Sequence, residues 1–261
     1  MKTTSIQIGS QTIDDHSFQV WAGPCSIENQ TQFDKIIKFV TQQGASGIRG
    51  GIYKLRTDKN SFQGLKEEAF PIIKNFKSQH KDTPFISEVT DPRQIETLNE
   101  MVDVFQVGTR NMFNYELLKE LGKTNKPVLL KRFFSARIQE WIKAAEYVFQ
   151  GGNSKVILCE RGIRTFETAY RNTLDFNAVA FLKKETSFPV FVDPSHGTGF
   201  RSLVPALTKA ALTLGADGVL IEVHNEPEKA LSDSQQSLNF EEFENLMTEL
   251  KKIAPLANKR L

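Results

Sequence analysis

Short apolar runs alternate with longer amphipathic segments along the whole chain, and this alternation limits the folds that it can adopt. The eight runs are FQVWAG, GIRGG, PFISEV, VFQVG, PVLLKR, KVILCE, PVFVDP and GVLIEV. Their apolar character is typical of parallel strands that are buried on both faces and joined by helical crossovers. The pattern therefore predicts an α/β fold, a single (β/α)8 TIM barrel. A doubly wound open sheet is the alternative architecture.

Helix-capping residues mark several of the amphipathic segments. Asp91 followed by Pro92 opens the segment RQIETLNEM. Asn114 opens YELLKELGK, with Gly122 as its stop, and Ser135 opens ARIQEWIKAAEYVFQGG. Short polar side chains at these positions accept hydrogen bonds from free N–H groups of the first helical turn. We therefore expect helices to begin directly after Asp91, Asn114 and Ser135.

The N-terminal extension is too short to form a domain of its own. Residues 1–17 contain the strand-like pieces SIQIG and QTI around a Gly-Ser turn, which predicts a β-hairpin. We expect residues 18–261 to form the barrel, because one (β/α)8 unit commonly requires about 250 residues.

Composition narrows the choice of partners. The chain has 33 basic and 31 acidic residues, a net charge of +2, so no overall field favours nucleic acid or an anionic membrane. Only Cys25 and Cys159 occur, which fits a reducing compartment. The sequence shows neither a signal-peptide pattern nor a long apolar stretch, so a soluble cytoplasmic protein is expected.

Chemically reactive side chains follow several of the predicted strands. Cys25 follows the first, His196 the seventh and Glu222 with His224 the eighth, while Asp233 lies in the next loop. Active sites of such barrels lie at the C-terminal ends of the strands. Thiolate, imidazole and carboxylate groups at one opening favour a divalent ion: Mn²⁺ or Fe²⁺, with Co²⁺ and Zn²⁺ as alternatives.

Each of these residues alone also fits a structural role, such as a buried cysteine or a turn residue. Strand alternation places Glu222 and His224 on one face, so periodicity leaves the choice between these two ligands open. Cys159, at the end of the sixth predicted strand, is expected to be packed rather than catalytic.

Basic residues form a second group at the same predicted strand ends. They are Arg49, Lys54, Arg56, Arg110, Lys131, Arg132, Arg161 and Arg164. Arginine forks and lysine charges on several strands match phosphate and carboxylate oxygens, and their number favours two anionic substrates. In the structural alternative, some of them pair with Glu88, Glu160 and Asp193.

The ordered motifs resemble one enzyme family. WAGPCSIE, RGGIYKLRT, FQGL, QVGTRNM, PVLLKR, ILCERGIRTFE, RNTLDFNAV, VDPSHGTG, GADGVLIEVH and ALSDSQQSL occur in the order found in type I 3-deoxy-D-arabino-heptulosonate-7-phosphate (DAHP) synthases. The similarity is to the branch shared with 3-deoxy-D-manno-octulosonate-8-phosphate synthases and covers roughly residues 18–240.

The resemblance implies condensation of phosphoenolpyruvate with erythrose 4-phosphate, the first step of the shikimate pathway. It implies that Cys25, His196, Glu222 and Asp233 are the metal ligands, which selects Glu222 over His224. It assigns Arg49, Lys54, Arg110, Lys131 and Arg161 to phosphoenolpyruvate, and it assigns Arg56 and Thr57, with Lys54, to the sugar phosphate. The expected catalytic set is Lys54 as proton donor, with Cys25 and His196 at the metal.

Two residues depart from the family pattern. Leu55 replaces the proline of the family's KPRT motif, and Asp58 stands where serine is usual. The carboxylate of Asp58 is expected to repel a sugar phosphate unless it turns away or pairs with Arg56 or Lys59. The alternative function is that of the octulosonate synthase, which uses arabinose 5-phosphate and carries a KANR-type loop.

A catalytically silent barrel that binds phosphometabolites is the alternative from another functional class. The resemblance also implies a homo-oligomer, a tetramer or dimer. Because residues 1–17 are too few for a regulatory domain, inhibition by phenylalanine or tyrosine is not expected, whereas control by a separate partner protein stays open.

Overall fold

Eight parallel strands close into a barrel in the computed structural model, which describes residues 2–261. The barrel strands are β3 (Gln19–Gly23), β4 (Gly47–Arg49), β5 (Phe85–Val89), β6 (Val104–Val107), β7 (Val128–Lys131), β8 (Val156–Glu160), β9 (Val190–Val192) and β10 (Gly218–Glu222). Neighbours follow chain order, and β10 pairs with β3 to close the barrel. Each predicted run supplies one strand, so the (β/α)8 barrel is confirmed and the open sheet was wrong.

Helices connect the strands. They are α1 (Gln30–Gln43), α2 (Phe70–Gln79), α3 (Ile95–Met101), α4 (Tyr115–Gly122), α5 (Ile138–Gln150), α6 (Phe176–Glu185), α7 (Pro194–Thr198), α8 (Val204–Leu214) and α9 (Phe240–Ile253). Short 3₁₀ turns lie at Lys66–Ala69, Pro92–Gln94, Thr109–Asn111, Arg201–Leu203, Pro227–Lys229 and Ala254–Ala257.

Two of the three predicted helix starts are confirmed. The Asp91 side chain caps the 3₁₀ turn that leads into α3, and Asn114 accepts a hydrogen bond from the backbone N–H of Leu117 in α4. The prediction for Ser135 was wrong, because α5 begins only at Ile138. There the Glu140 carboxylate accepts the backbone N–H of Arg137 at 2.7 Å, which fixes a later start.

The helix α4 ends at Gly122, as predicted, and this glycine also permits close packing. It is the last residue of α4, and a Cβ at this position would lie 2.6 Å from the carbonyl oxygen of Val148 in α5. Two helices approach at this point more closely than a side chain permits.

Apolar side chains form two clusters, one between the strands and the surrounding helices and one inside the barrel. The predicted hairpin is present as β1 (Ile6–Ile8) and β2 (Gln11–Ile13), joined by a turn at Gly9 and Ser10. Ile6, Ile8 and Ile13 belong to the inner cluster, together with Trp21 and Phe191. The hairpin thus covers the N-terminal end of the barrel and leaves the opposite end open for a site.

Among residues 2–261, no helix combines the length and the apolar character that crossing a bilayer requires.

Candidate active site

The predicted site residues lie at the C-terminal end of the barrel. Arg49, Lys131 and Glu222 are the last residues of β4, β7 and β10, and Arg161 directly follows β8. The others lie in the segments that follow the strands: Cys25, Lys54, Arg56, Thr57, Arg110, His196 and Asp233. Because parallel strands all end at the same opening, residues far apart in sequence become neighbours.

Four of these residues form a compact group of potential metal ligands. One ligand atom each from Cys25, His196, Glu222 and Asp233 lies within 4.8 Å of all the others. Cys25 and Glu222 are buried, whereas His196 and Asp233 are partly exposed. A sulfur, an imidazole and two carboxylates in this arrangement suit a divalent transition-metal ion.

His196 is oriented by a carboxylate on its outer side. Its Nδ1 lies 2.8 Å from Asp193 Oδ2, whereas its Nε2 faces the group and lies 3.3 Å from Glu222 Oε1. Burial lowers the pKa of His196 below its ordinary value, although Asp193 and Glu222 oppose this effect. A neutral ring that donates from Nδ1 to Asp193 leaves Nε2 free to act as a ligand.

Asp233 adopts a backbone conformation that is uncommon for residues other than glycine. Its φ is +53°, in the left-handed region, and its carboxylate lies 3.0 Å from Cys25 Sγ. Burial opposes ionisation, but electrostatic interactions with His196 and Lys54 and the hydrogen bond from Cys25 outweigh it and lower the pKa of Asp233. Strained conformations of this kind are concentrated at functional sites, where the surrounding structure holds them in place.

Lys54 provides the cation nearest to the sulfur of Cys25. Its Nζ lies 3.0 Å from Cys25 Sγ. Burial and the nearby Glu222 carboxylate raise the pKa of the Cys25 thiol to about 12, although Lys54 lowers it. Burial also lowers the pKa of Lys54, but nearby negative groups outweigh this effect and the pKa lies above its usual value. Lys54 is therefore a protonated amine beside the ligand group.

His224 lies outside this group, so the structure brings Glu222 rather than His224 to the potential metal ligands. Strand alternation could not separate the two because β10 ends at Glu222, and the next residues pair with Leu238 instead of continuing the barrel strand. His224 Nδ1 accepts the backbone N–H of Glu226, and its Nε2 lies 3.7 Å from Glu28 Oε2.

The cationic residues surround a cavity of about 280 Å³ at the same opening. Its lining includes Arg49, Lys54, Arg56, Thr57, Arg110, Lys131, Arg161, Arg171, His196 and Asp233. All the expected substrate-binding residues therefore face one cavity, directly beside the potential metal ligands. Positive charge on several walls makes this cavity suitable for anions.

Two of the anticipated structural ion pairs are present. Lys131 Nζ lies 2.6 Å from Asp193 Oδ2, so Asp193 contacts both Lys131 and His196. Arg132 is buried against Glu160 and Asp175 and is absent from the cavity lining, so its role is structural. Cys159, as predicted, is packed in the inner apolar cluster.

Glu88 forms no ion pair in residues 2–261, although an ion pair was one of its predicted roles. Its carboxylate packs against Gly108 instead, where an added Cβ would lie 1.9 Å from Glu88 Oε1. Glycine at this position lets the carboxylate approach the backbone and line the cavity.

The loop that contains Leu55 and Asp58 lies over the cavity. Arg110 donates to the Thr57 hydroxyl at 3.1 Å, and Arg56 lies 3.4 Å from Asp233. Asp58 accepts the backbone N–H of Asn60, and in residues 2–261 it forms no ion pair with Arg56 or Lys59. Its carboxylate thus lines the cavity uncompensated by those two cations.

Sequence analysis did not predict two residues of the site, Gln236 and Arg171. Gln236 is buried and donates to Glu222 Oε2 at 2.6 Å. Its Oε1 accepts from Arg171, which also lies 3.6 Å from Asp233. The position of Gln236 three residues after Asp233 was the available signal, but an isolated glutamine in a loop carries little information.

Comparison with known proteins shows the family of this chain. The model of the DAHP synthetase I family matches residues 3–257. The chain belongs to the DAHP synthetase I family. This membership confirms the resemblance inferred from the motifs.

Individual relatives agree with the family assignment. A curated phospho-2-dehydro-3-deoxyheptonate aldolase of Thermotoga maritima is 45% identical over 251 residues, which cover 96% of this chain and 74% of that protein. A crystal structure of a DAHP synthase from the same organism has a TM-score of 0.94, with 43% identity over 99% of this chain and 75% of that one. A truncated form of the Thermotoga maritima enzyme has a TM-score of 0.91, with 41% identity over 99% of this chain and 95% of that one.

Octulosonate enzymes are more distant relatives. A 2-dehydro-3-deoxyphosphooctonate aldolase of Desulfatibacillum aliphaticivorans is 30% identical over 256 residues, covering 91% of this chain and 92% of that one. The higher identity to the heptulosonate enzyme confirms the prediction of DAHP synthase over the octulosonate alternative.

Proposed function

We propose that this member of the DAHP synthetase I family condenses phosphoenolpyruvate with erythrose 4-phosphate in a metal-dependent reaction. The arrangement that supports the proposal is one opening that combines four potential metal ligands with an anion-binding cavity. The residues that the family resemblance assigns to substrate binding line this cavity, and the four that it assigns to the metal lie together beside it. A catalytically silent binding barrel would not need the potential metal ligands in addition to the cationic residues.

Phosphoenolpyruvate would bind through Arg49, Lys54, Arg110, Lys131 and Arg161. Arg161 is buried with its guanidinium donating to the carbonyl of His196, so it is held at the cavity wall before substrate arrives. Burial lowers the pKa of Arg161 to about 10, which still leaves it charged at neutral pH. Preorganised cations contribute more to binding than mobile ones because less entropy is lost.

Erythrose 4-phosphate would bind over the loop that contains Arg56 and Thr57. Arg56 is turned toward Asp233 and Thr57 toward Arg110. We propose that the phosphate takes over these two contacts, with Arg56 forming paired hydrogen bonds to its oxygens. The aldehyde would then point toward Lys54 and the ligand group.

The donor set fits one divalent ion, held by Cys25, His196, Glu222 and Asp233. Arg49 lies 2.7 Å from Glu222 and Arg56 lies 3.4 Å from Asp233, and the pKa values of both carboxyl groups are lowered, so both are ionised and able to act as ligands at neutral pH. Mn²⁺ or Fe²⁺ is the proposed ion, and Co²⁺ and Zn²⁺ suit the same ligands. When bound, such an ion supplies Lewis acidity toward the aldehyde oxygen.

Lys54 is the proposed proton donor. The bond from C3 of phosphoenolpyruvate to the aldehyde carbon turns the aldehyde oxygen into an alkoxide, which needs a proton. The ammonium of Lys54 lies at the ligand group and is charged at neutral pH. Water adds at C2, and the resulting hemiketal phosphate loses phosphate to give DAHP. A positioned acid of this kind contributes typically about 10² to 10⁴-fold to the rate.

The assembly and the cellular setting belong to the same proposal. We propose a homotetramer or homodimer that works in the cytoplasm. Phe113 and Tyr115 are exposed, and Tyr115 stacks on Tyr147 at 4.4 Å, which gives an aromatic surface of the kind that favours self-association. Light scattering after size-exclusion chromatography measures the assembly.

Insensitivity of the isolated protein to phenylalanine and tyrosine stays a prediction, tested by adding either amino acid to the assay.

The experiment that tests the function identifies the product by mass. Metal-loaded protein is incubated with phosphoenolpyruvate and either erythrose 4-phosphate, arabinose 5-phosphate or no sugar. We expect a seven-carbon sugar acid phosphate and stoichiometric phosphate in the first mixture alone. Preferential formation of the eight-carbon product would assign the octulosonate reaction, and the absence of both products would support the silent binding barrel.

A further inference from the structure

Phe134 is a buried aromatic residue with unusual surroundings. It lies three residues beyond the end of β7, its side chain is 9% exposed, and it belongs to neither apolar cluster. A phenylalanine that packed only to fill the core would be part of one of these clusters. Phe134 instead lines the anion-binding cavity.

Three guanidinium groups surround the ring of Phe134. The Cζ atoms of Arg161 and Arg164 lie 4.7 Å from the ring centroid, and that of Arg110 lies at 5.9 Å. These distances are within the range of cation–π attraction, in which the negative face of the ring stabilises the charge. Within residues 2–261, none of the three arginines forms an ion pair with a carboxylate.

We propose that Phe134 is a positioning residue that holds Arg110 and Arg161 at the phosphoenolpyruvate end of the cavity before substrate binds. Like charges repel one another, so three unpaired arginines need a partner that draws them together without neutralising them. A carboxylate in that place would compete with the anionic substrate, whereas an aromatic ring leaves the full positive charge available. The inference rests on the proposed function.

The main chain at Phe134 reinforces this arrangement. The carbonyl of Phe134 accepts the backbone N–H of Arg164 at 2.8 Å, which joins the segment after β7 to the segment after β8. A change of the side chain leaves this hydrogen bond in place. We therefore expect Phe134→Leu to fold and to retain the course of both segments, while the arginines lose their aromatic contact.

Binding of phosphoenolpyruvate alone, measured by calorimetry, tests the proposal. Phe134→Leu is compared with Phe134→Tyr, which keeps the ring, and with Phe133→Leu as the control. Phe133 is the neighbouring aromatic residue, and its ring contacts Phe113 and, at a centroid distance of 5.6 Å, the ring of Phe134. Within residues 2–261, the three arginines lie over Phe134 and not over Phe133, so Phe133→Leu removes an aromatic neighbour of Phe134 but leaves its contacts with the arginines in place. We expect Phe134→Leu to raise Kd for phosphoenolpyruvate about tenfold, whereas Phe134→Tyr and Phe133→Leu stay within about twofold of the unmodified protein.

Steady-state kinetics supply a second readout. The KM for phosphoenolpyruvate should rise in Phe134→Leu while kcat and the KM for erythrose 4-phosphate change little, because the ring contacts no reacting atom. Equal Kd values for all four proteins would overturn the role of Phe134, and so would equal losses of affinity in Phe133→Leu and Phe134→Leu. Either result would leave the proposed function intact. Failure of the unmodified protein to bind phosphoenolpyruvate overturns both this inference and the proposed function.

Discussion

Gln236 donates a hydrogen bond of 2.6 Å to Glu222 Oε2, and this contact fixes the carboxylate from the side away from Arg49. The other end of the Gln236 amide accepts from Arg171, which lies beside Asp233. One buried glutamine thus connects two of the proposed metal ligands.

Replacement of this glutamine should weaken metal binding. In Gln236→Leu, Glu222 loses the hydrogen bond to Oε2 and keeps only the contact of Oε1 with Arg49 on its other side. We expect Mn²⁺ affinity to fall about 10- to 100-fold, the usual cost of removing a residue that orients a ligand. Equilibrium dialysis against Mn²⁺ measures the change directly. Gln235→Leu is the matched control, because the adjacent side chain is exposed. Identical affinities of the two variants would show that Gln236 does not orient the site.

Lys54 should affect turnover far more than binding. We expect Lys54→Met to reduce kcat by about 10² to 10⁴-fold, because the alkoxide loses its proton donor. Lys59→Met, an exposed change in the same loop, should keep the normal kcat. Single-turnover mixing of sugar with enzyme and phosphoenolpyruvate separates chemistry from product release. Full turnover of Lys54→Met would reject the proton-donor role.

Asp193 should contribute to stability through its pairs with Lys131 and His196. Burial opposes its ionisation, but His196 and Lys131 hold the pKa of Asp193 well below its usual value. Asp193→Asn leaves the buried Lys131 ammonium without a counter-charge, and such losses cost about 3–5 kcal/mol. Denaturant unfolding near neutral pH measures this free energy. Glu120→Gln, which removes an exposed ion pair with Lys123, should change it little.

The effect of Asp193 should depend on pH with a defined sign. A carboxyl group with a lowered pKa stabilises the folded state above its unfolded pKa of about 3.9, and this stabilisation is lost as pH falls through the folded value. The difference between the unmodified protein and Asp193→Asn should therefore be constant near neutrality and shrink only below about pH 4. A difference that vanished already near pH 6 would indicate another titrating group.

Asp58 should weaken sugar-phosphate binding through charge. Its carboxylate lines the cavity and, within residues 2–261, lacks an ion pair to Arg56 or Lys59. We expect Asp58→Ser to lower the KM for erythrose 4-phosphate about two- to threefold, a modest effect because solvent screens exposed charges. Asp58→Asn keeps an acceptor for the backbone of Asn60 and should produce the same decrease. An unchanged or higher KM in both variants would reject the repulsion.

The barrel and the ends of its strands could be predicted because parallel strands place all their C-terminal residues at one opening. This rule alone brought Cys25, His196 and Asp233 together, although they are far apart in sequence. The choice of Glu222 over His224 could not follow from alternation, because the strand ends between them.

Side-chain directions within the loops could not be predicted. The contacts of Gln236 depend on the left-handed backbone of Asp233, and those of Phe134 depend on three arginines from other segments. The start of α5 was misjudged because Glu140, three residues into the helix, determines the cap rather than Ser135. The contacts of Gln236 and Phe134 are tertiary and no local pattern encodes them, whereas the Glu140 cap is a local signal three residues from Arg137.

The most direct test of the metal-dependent condensation is a Mn²⁺ titration of the metal-stripped protein while phosphate release from phosphoenolpyruvate is measured with erythrose 4-phosphate present. We predict no release without metal, full release at one ion per chain, and loss of that response in Cys25→Ser but not in Cys159→Ala. Turnover at the full rate by protein shown to be free of metal would contradict it.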